Sequence, residues 1–124
     1  MGTDIRRYSL NPSQQFIIYT YHGIDMKKFS GIIDFLSQFK EQLKNRATKQ
    51  EWYELQQPQY LFSKYMENPK IIYPEIAKEP RFTLDLNSYY INNKGFLIPC
   101  NDLYLLGLLN SKLTWFILKQ ICSC

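Results

Sequence analysis

Hydrophobic positions along this chain change period several times, and each change marks an expected element. Gln14-Gln15-Phe16-Ile17-Ile18-Tyr19-Thr20 is rich in β-branched and aromatic residues and predicts a strand, with turn formers at Asn11-Pro12-Ser13 and His22-Gly23 on either side. Phe29, Ile32, Ile33, Leu36, Phe39 and Leu43 then recur every three or four residues, predicting one helix from Asp25 or Ser30 to Arg46. Lys40, Lys44 and Arg46 crowd its last turns, where cations complement the negative end of the helix dipole. Glu51 to Leu55 alternates weakly and reads as a strand or extended segment. Pro58 to Met66 predicts a short helix, opened by Pro58 and closed before Asn68-Pro69.

The second half reads mainly as strands. Lys70 to Tyr73 is a clear strand halted by Pro74. Arg81 to Asp85, Ser88 to Ile91 and Gly95 to Ile98 follow as three short strands, with Asn92-Asn93-Lys94-Gly95 turning between the last two. A final helix is expected from an Asn101 or Asp102 cap to Ile121, apolar around most of its circumference. Its Asn110, Lys112, Lys119 and Gln120 argue against a membrane span. The sum is an α+β fold: a small, mainly antiparallel sheet with two longer helices packed on it, in one domain covering residues 1–124.

Composition alters this picture little. A hydrophobic share of 45% is enough to pack a core. Ten Tyr, eight Phe and two Trp suit contact surfaces as well as interiors. Fifteen Lys plus Arg against eleven Asp plus Glu give a formal charge of +4, a mild bias toward anionic partners. Cys100, Cys122 and Cys124 form no even disulfide set, and no secretory pattern precedes them, as in a reduced intracellular protein. With the single, remote His22 they also lack the paired ligands of structural zinc. The opening Gly2-Thr3-Asp4 and the halt at Cys124, directly after an apolar helix, read as the two cut ends of a fragment.

Catalytic constellations are missing from the sequence. It has no Gly-rich strand-to-helix loop, no Gly-x-Ser-x-Gly elbow and no cysteine with a neighbouring histidine. Pro74-Glu75 with Lys78 suggests a metal-dependent nuclease pattern but lacks its second carboxylate at the proper spacing.

The order of segments is more informative. Gly2-Thr3-Asp4-Ile5-Arg6-Arg7-Tyr8 precedes Phe16-Ile17-Ile18-Tyr19; Asn45-Arg46 is followed by Trp52-Tyr53-Glu54-Leu55-Gln56-Gln57-Pro58. Then come Lys70-Ile71-Ile72-Tyr73-Pro74-Glu75-Ile76, Arg81-Phe82 and Asp102-Leu103-Tyr104-Leu105-Leu106-Gly107-Leu108-Leu109-Asn110-Ser111-Lys112. Over nearly its whole length the chain resembles the TaqI-like C-terminal specificity domain of adenine-specific DNA methyltransferases, type IIG restriction-modification enzymes among them. The resemblance implies target recognition on double-stranded DNA, mainly through the major groove, for a catalytic methyltransferase domain in cis. It also implies that S-adenosylmethionine binds that separate domain, that this chain holds no cofactor and no catalytic residue, and that it works in a prokaryotic cytoplasm. Asn11-Pro12-Ser13-Gln14 lacks the second proline and the aromatic of the Asn-Pro-Pro-Tyr motif that holds a flipped adenine.

Duplex recognition needs cations for phosphates and planar polar groups for base edges. Lys78 to Lys94 offers both. Arg grips guanine and Asn grips adenine through paired hydrogen bonds, so Arg81, Asn92, Asn93 and Lys94 are the expected DNA-facing residues. Lys78 lies with Arg81 next to Pro80, and Tyr89 or Tyr90 beside them. An ordinary hairpin with a polar turn fits the same residues. Arg6 and Arg7 form a second candidate patch, which the resemblance places near the junction with the catalytic domain; a solvated arginine pair is the other reading. Trp52, Tyr53, Tyr73 and Trp115 are assigned to the core rather than to base stacking, and Asn110-Ser111-Lys112 to packing in mid-helix. The competing function is a protein-interaction module that docks to a catalytic domain or other partner without reading DNA.

Overall fold

A computed structural model describes residues 4–58 and 60–122; Gly2, Thr3 and Cys124, named above, lie outside the described residues. In chain order its elements are β1 (Ile5–Arg6), β2 (Ser9–Leu10), a 3-10 turn (Met26–Lys28), α1 (Ser30–Ser37), α2 (Lys40–Lys44), α3 (Tyr60–Glu67), β3 (Lys70–Pro74), β4 (Thr83–Asp85), β5 (Gly95–Ile98), α4 (Leu103–Leu109) and α5 (Lys112–Ile121). This is the expected α+β architecture with antiparallel sheets. The chain divides into two compact units: the described residues up to Gln15 with those from Leu61 onward, and Phe16–Tyr60.

The first unit centres on a three-stranded sheet of order β4-β3-β5, antiparallel throughout. Its central strand Lys-Ile-Ile-Tyr-Pro is β-branched and buried on both faces, which is why no simple polar-apolar alternation shows there. Ile71, with Phe82 and Leu106, forms the buried core; Tyr73, Leu84, Ile98, Leu105, Leu109 and Leu118 pack around it. The apolar stripes of α4 and α5 thus cover the Ile71 face of the sheet.

One end of the sheet is closed by a buried ion pair. Lys70 Nζ lies 2.5 Å from Asp85 Oδ2, and both side chains are 0% exposed. Lys70 also donates to the Met66 carbonyl at the end of α3. Asp85 accepts from the backbone N–H groups of Asn87 and Tyr89, at 2.8 and 2.9 Å. Every charge is met by a partner, the condition under which burying a charge is tolerable.

The predicted strand at Ser88 to Ile91 is absent. Ser88 takes a left-handed φ of 57° and its hydroxyl donates to the Glu67 carbonyl, so the chain is bent where a strand needs extension. Consequently Asn93-Lys94 turns into β5 from an irregular segment rather than joining two paired strands. The Arg81 to Asp85 strand begins only at Thr83. The final helix is two helices. Asp102 caps α4 as expected, accepting from Tyr104 and Leu105 N–H, but Asn110 ends it. Ser111, with extended backbone, starts α5 by accepting from the Thr114 N–H. Asn110-Ser111 is therefore a helix junction, not mid-helix.

The expected Gln14 to Thr20 strand, most of which falls in the second unit, does not form. Its residues suit a pleated sheet, but no strand is present in that unit, among the described residues, to accept them. Phe16 is 99% exposed. The long helix is broken at Gln38-Phe39, where the Ser37 hydroxyl takes the Asp34 carbonyl and loosens the helical ladder. Glu51 to Leu55 is a turn, tied by the buried Glu54 carboxylate, which accepts from Gly23 and Glu51 N–H. Partial burial, then the charges of Glu51, Glu54 and Asp25, raise the Tyr53 phenol above its ordinary value. Arg46 donates to the Leu43 and Trp52 carbonyls, and Lys40 lies over the Trp52 ring, so the cations of this region serve local structure.

Candidate nucleic-acid interface

Strand register decides which candidates meet. Ile72 pairs with Thr83, and Pro74 with Gly95. The end of β3, the start of β4 and the start of β5 therefore lie at the same end of the sheet. The residues that lead into or out of those strands, Glu75 to Phe82 and Asn92 to Lys94, converge there. Continued by register, Arg81 stands level with Pro74 on one side of the central strand and Lys94 level with Glu75 on the other. Two strand spacings put their backbones roughly 10 Å apart.

The β1–β2 hairpin adds Arg7 to this end. Arg7 Nε donates to the Pro80 carbonyl at 3.3 Å, and the Tyr8 N–H donates to the Phe82 carbonyl at 3.0 Å. Arg6, in β1, is exposed beside them. Ile5, in the same strand, is buried next to Gly95, where an added Cβ would lie 3.6 Å from its Cδ1. So Arg6, Arg7, Lys78, Arg81, Asn92, Asn93 and Lys94 are gathered at one end, although the sequence treats the first two as a separate patch. Tyr89 is not gathered. Its N–H is held by Asp85 at the opposite end, about 13 Å away along the strands. Tyr90 is anchored there too, its hydroxyl donating to Glu67.

The gathered cations are not bare. Arg81 Nε and Nη2 both reach Glu79 Oε1, at 3.1 and 3.0 Å. Lys94 Nζ lies 3.7 Å from Glu75 Oε2, and the Glu75 N–H donates to the Lys94 carbonyl. The Asn92 side chain accepts from the Lys94 N–H, which stiffens the turn. Lys78 and Asn93 are exposed.

Behind this surface stands Asn110. Its amide donates to the Phe82 carbonyl at 2.8 Å and its oxygen accepts from the Phe82 N–H at 3.1 Å. One buried side chain thus serves Phe82 as a neighbouring strand would. It also fixes the backbone next to Arg81, so the packing role expected for Asn110 holds at a different place in the helices. Trp52, Tyr53, Tyr73 and Trp115 are all half-buried.

Two exposed residues that the sequence does not single out, Tyr8 and Ile76, also lie at this end. Tyr8 is exposed at this end and takes a left-handed φ of 62°, an arrangement that no residue-type signal announces for tyrosine. Ile76 is exposed in the loop after β3, where an apolar residue in a run of polar ones was the available hint.

No curated protein matches the chain. The family model of the TaqI-like C-terminal specificity domain matches residues 1–124. The match covers the whole chain, and the chain belongs to the TaqI-like C-terminal specificity domain family, whose role is DNA target recognition in restriction-modification methyltransferases.

Proposed function

We propose that this chain binds double-stranded DNA through the β3-end surface and presents the target to a separate, adenine-specific catalytic domain. The convergence of Arg6, Arg7, Lys78, Arg81, Asn92, Asn93 and Lys94 on one end of a rigid sheet carries the reading. It supplies both contact types that a duplex demands, cations for phosphates and Arg and Asn side chains for base edges. Family membership supports a catalytic methyltransferase domain in cis as the partner that binds S-adenosylmethionine, with type IIG fusion enzymes as one setting and the prokaryotic cytoplasm as the location. Among the described residues no helix is long and apolar enough to cross a membrane. Tyr89, held at the far end of the sheet, is left out of the contact surface.

A second reading has its own observation. Leu113, Phe116 and Ile117 of α5 are exposed along one helical face, which suits docking to the catalytic domain or another protein. The two readings separate in a binding experiment with a randomised duplex pool. Salt-sensitive capture of duplexes, weakened by Arg81→Ala and Asn93→Ala, is expected for the DNA surface. Equal capture by those variants and the parent chain would sink it; no capture of duplex by the parent chain, with self-association or partner binding that Phe116→Ser abolishes, would favour docking.

A further inference from the structure

We propose that Glu75 and Glu79 are specificity-determining residues: paired with Lys94 and Arg81, they keep sequence-independent phosphate binding by this end weak and leave Arg81 to a G·C base pair. The inference rests on the reading that this end meets duplex DNA. Its basis is that two of the five gathered cations already carry a carboxylate.

Both pairs are built into the backbone. Glu79 and Arg81 bracket the buried Pro80, whose fixed φ narrows the geometry between them. The carbonyl of Pro80 is held in turn by Arg7. On the other side of β3, the hydrogen bond from Glu75 N–H to the Lys94 carbonyl sets the two side chains next to one another. The carboxylate side chains are 57% exposed at Glu79 and 43% at Glu75, so the pairs are weak and exchange readily.

Exchange has a different outcome for each kind of DNA contact. If Arg81 or Lys94 turns to a phosphate, one anion replaces another, and the released glutamate is left facing a polyanion. Little is gained, and the sequence-independent part of binding stays small. If Arg81 turns to a guanine edge, it meets two neutral acceptors in a plane, O6 and N7. The Glu79 carboxylate beside it can then accept from the cytosine N4 amine of the same pair. Only the base contact gives both members of the Arg81–Glu79 pair a partner. A residue that merely solubilised the surface would not have this dependence.

The test uses the full chain with a labelled mixed-sequence duplex, comparing Glu75→Gln, Glu79→Gln and, as a control, Glu41→Gln. Glu41 pairs with Lys44 at 3.0 Å in the other unit, so its removal changes net charge equally without touching either the Glu75–Lys94 or the Glu79–Arg81 pair. Each of the first two variants should steepen the slope of log affinity against log salt by about one unit, enlarging the affinity drop between about 50 and 200 mM salt roughly threefold. Selection from a randomised pool should show a G·C preference at one position that Glu79→Gln loses, with thermal stability unchanged in all three. Equal steepening by Glu41→Gln overturns the inference, because net charge alone would then act. Unchanged slopes, or an unchanged G·C preference in Glu79→Gln, also overturn it while leaving the DNA reading in place. Absence of duplex binding by the parent chain and every variant overturns the DNA reading itself, and this inference with it.

Discussion

The two ends of the three-stranded sheet use the same chemistry to opposite purposes. At one end Lys70 and Asp85 form an ion pair with both side chains at 0% exposure, and α3, β3, β4 and the 87–89 loop are all hydrogen-bonded to it. At the other end Arg81–Glu79 and Lys94–Glu75 are pairs in contact with solvent, joined to loops rather than to the core. A buried pair cannot change partners without leaving a charge in a low-dielectric interior. An exposed pair can, because water covers the cost of each intermediate arrangement. The closed end is therefore suited to holding the fold and the open end to meeting a charged partner.

The largest expected effect comes from breaking the closed end. Asp85→Ala strands the Lys70 ammonium and unties the Asn87 and Tyr89 N–H groups together, and a loss of about 3–5 kcal/mol is expected. Chemical denaturation of the chain measures it. A loss below about 1 kcal/mol, the range of exposed pairs, would erase the contrast between the ends. Lys70→Met with Asp85→Leu sharpens the point. Removing both charges together should cost less than Asp85→Ala, since no unpaired charge stays buried; what loss is left reports the Asn87 and Tyr89 N–H groups and the Met66 carbonyl, which lose their partners.

Next in size is Asn110, which links the core to the open end. Asn110→Ala leaves the buried Phe82 N–H without its acceptor, a cost of about 1–3 kcal/mol. The measurement is again denaturation, joined to amide exchange at Phe82. Exchange that quickens at Phe82 and not in the adjoining β4 is expected, and equal quickening at Phe82 and across β4 would show that the amide does not act locally. This residue also shows where sequence reading stops. The Asp102 cap, β3 and β5 were legible because each is specified by local chemistry: a carboxylate before an apolar run, β-branched residues before Pro74, and Gly95 after an amide-rich turn. The break at Asn110-Ser111 was not, because the apolar spacing runs through it and the side chain that ends α4 is engaged 28 residues away.

The same distinction holds for the other elements. Phe16 to Thr20, the greater part of the expected Gln14 to Thr20 strand, has strand composition but no strand in its unit, among the described residues, to pair with, and Ser88 to Ile91 has it with a left-handed serine at its start. In the candidate site, Arg81 and Asn92 to Lys94 were legible as cations and amides at turns. Their union with Arg6 and Arg7 was not, since it depends on the hairpin contact to Pro80 and Phe82. Glu75 was read only against a nuclease pattern that lacks its second carboxylate and Glu79 not at all, because their pairing with Lys94 and Arg81 appears only in the folded chain.

The smallest effects belong to single cations of the open end, and Lys94 gives the most direct comparison, being the same residue type as Lys70 on the same sheet. Lys94→Ala should leave stability within about 0.5 kcal/mol, as expected for a surface position with an exposed partner. Duplex binding should instead weaken and its salt slope fall, by up to about one unit, because Glu75 then faces the polyanion without its counter-charge. Because Glu75 stays behind in that variant, facing the duplex uncompensated, adding Glu75→Gln should recover part of the lost affinity. Measured stability losses comparable to those of Asp85→Ala would mean that Lys94 is structural after all and that the two ends differ only in depth. A slope that does not move on removing Lys94 would place the phosphate contacts elsewhere, with the Arg6-Arg7 hairpin the next cations to vary.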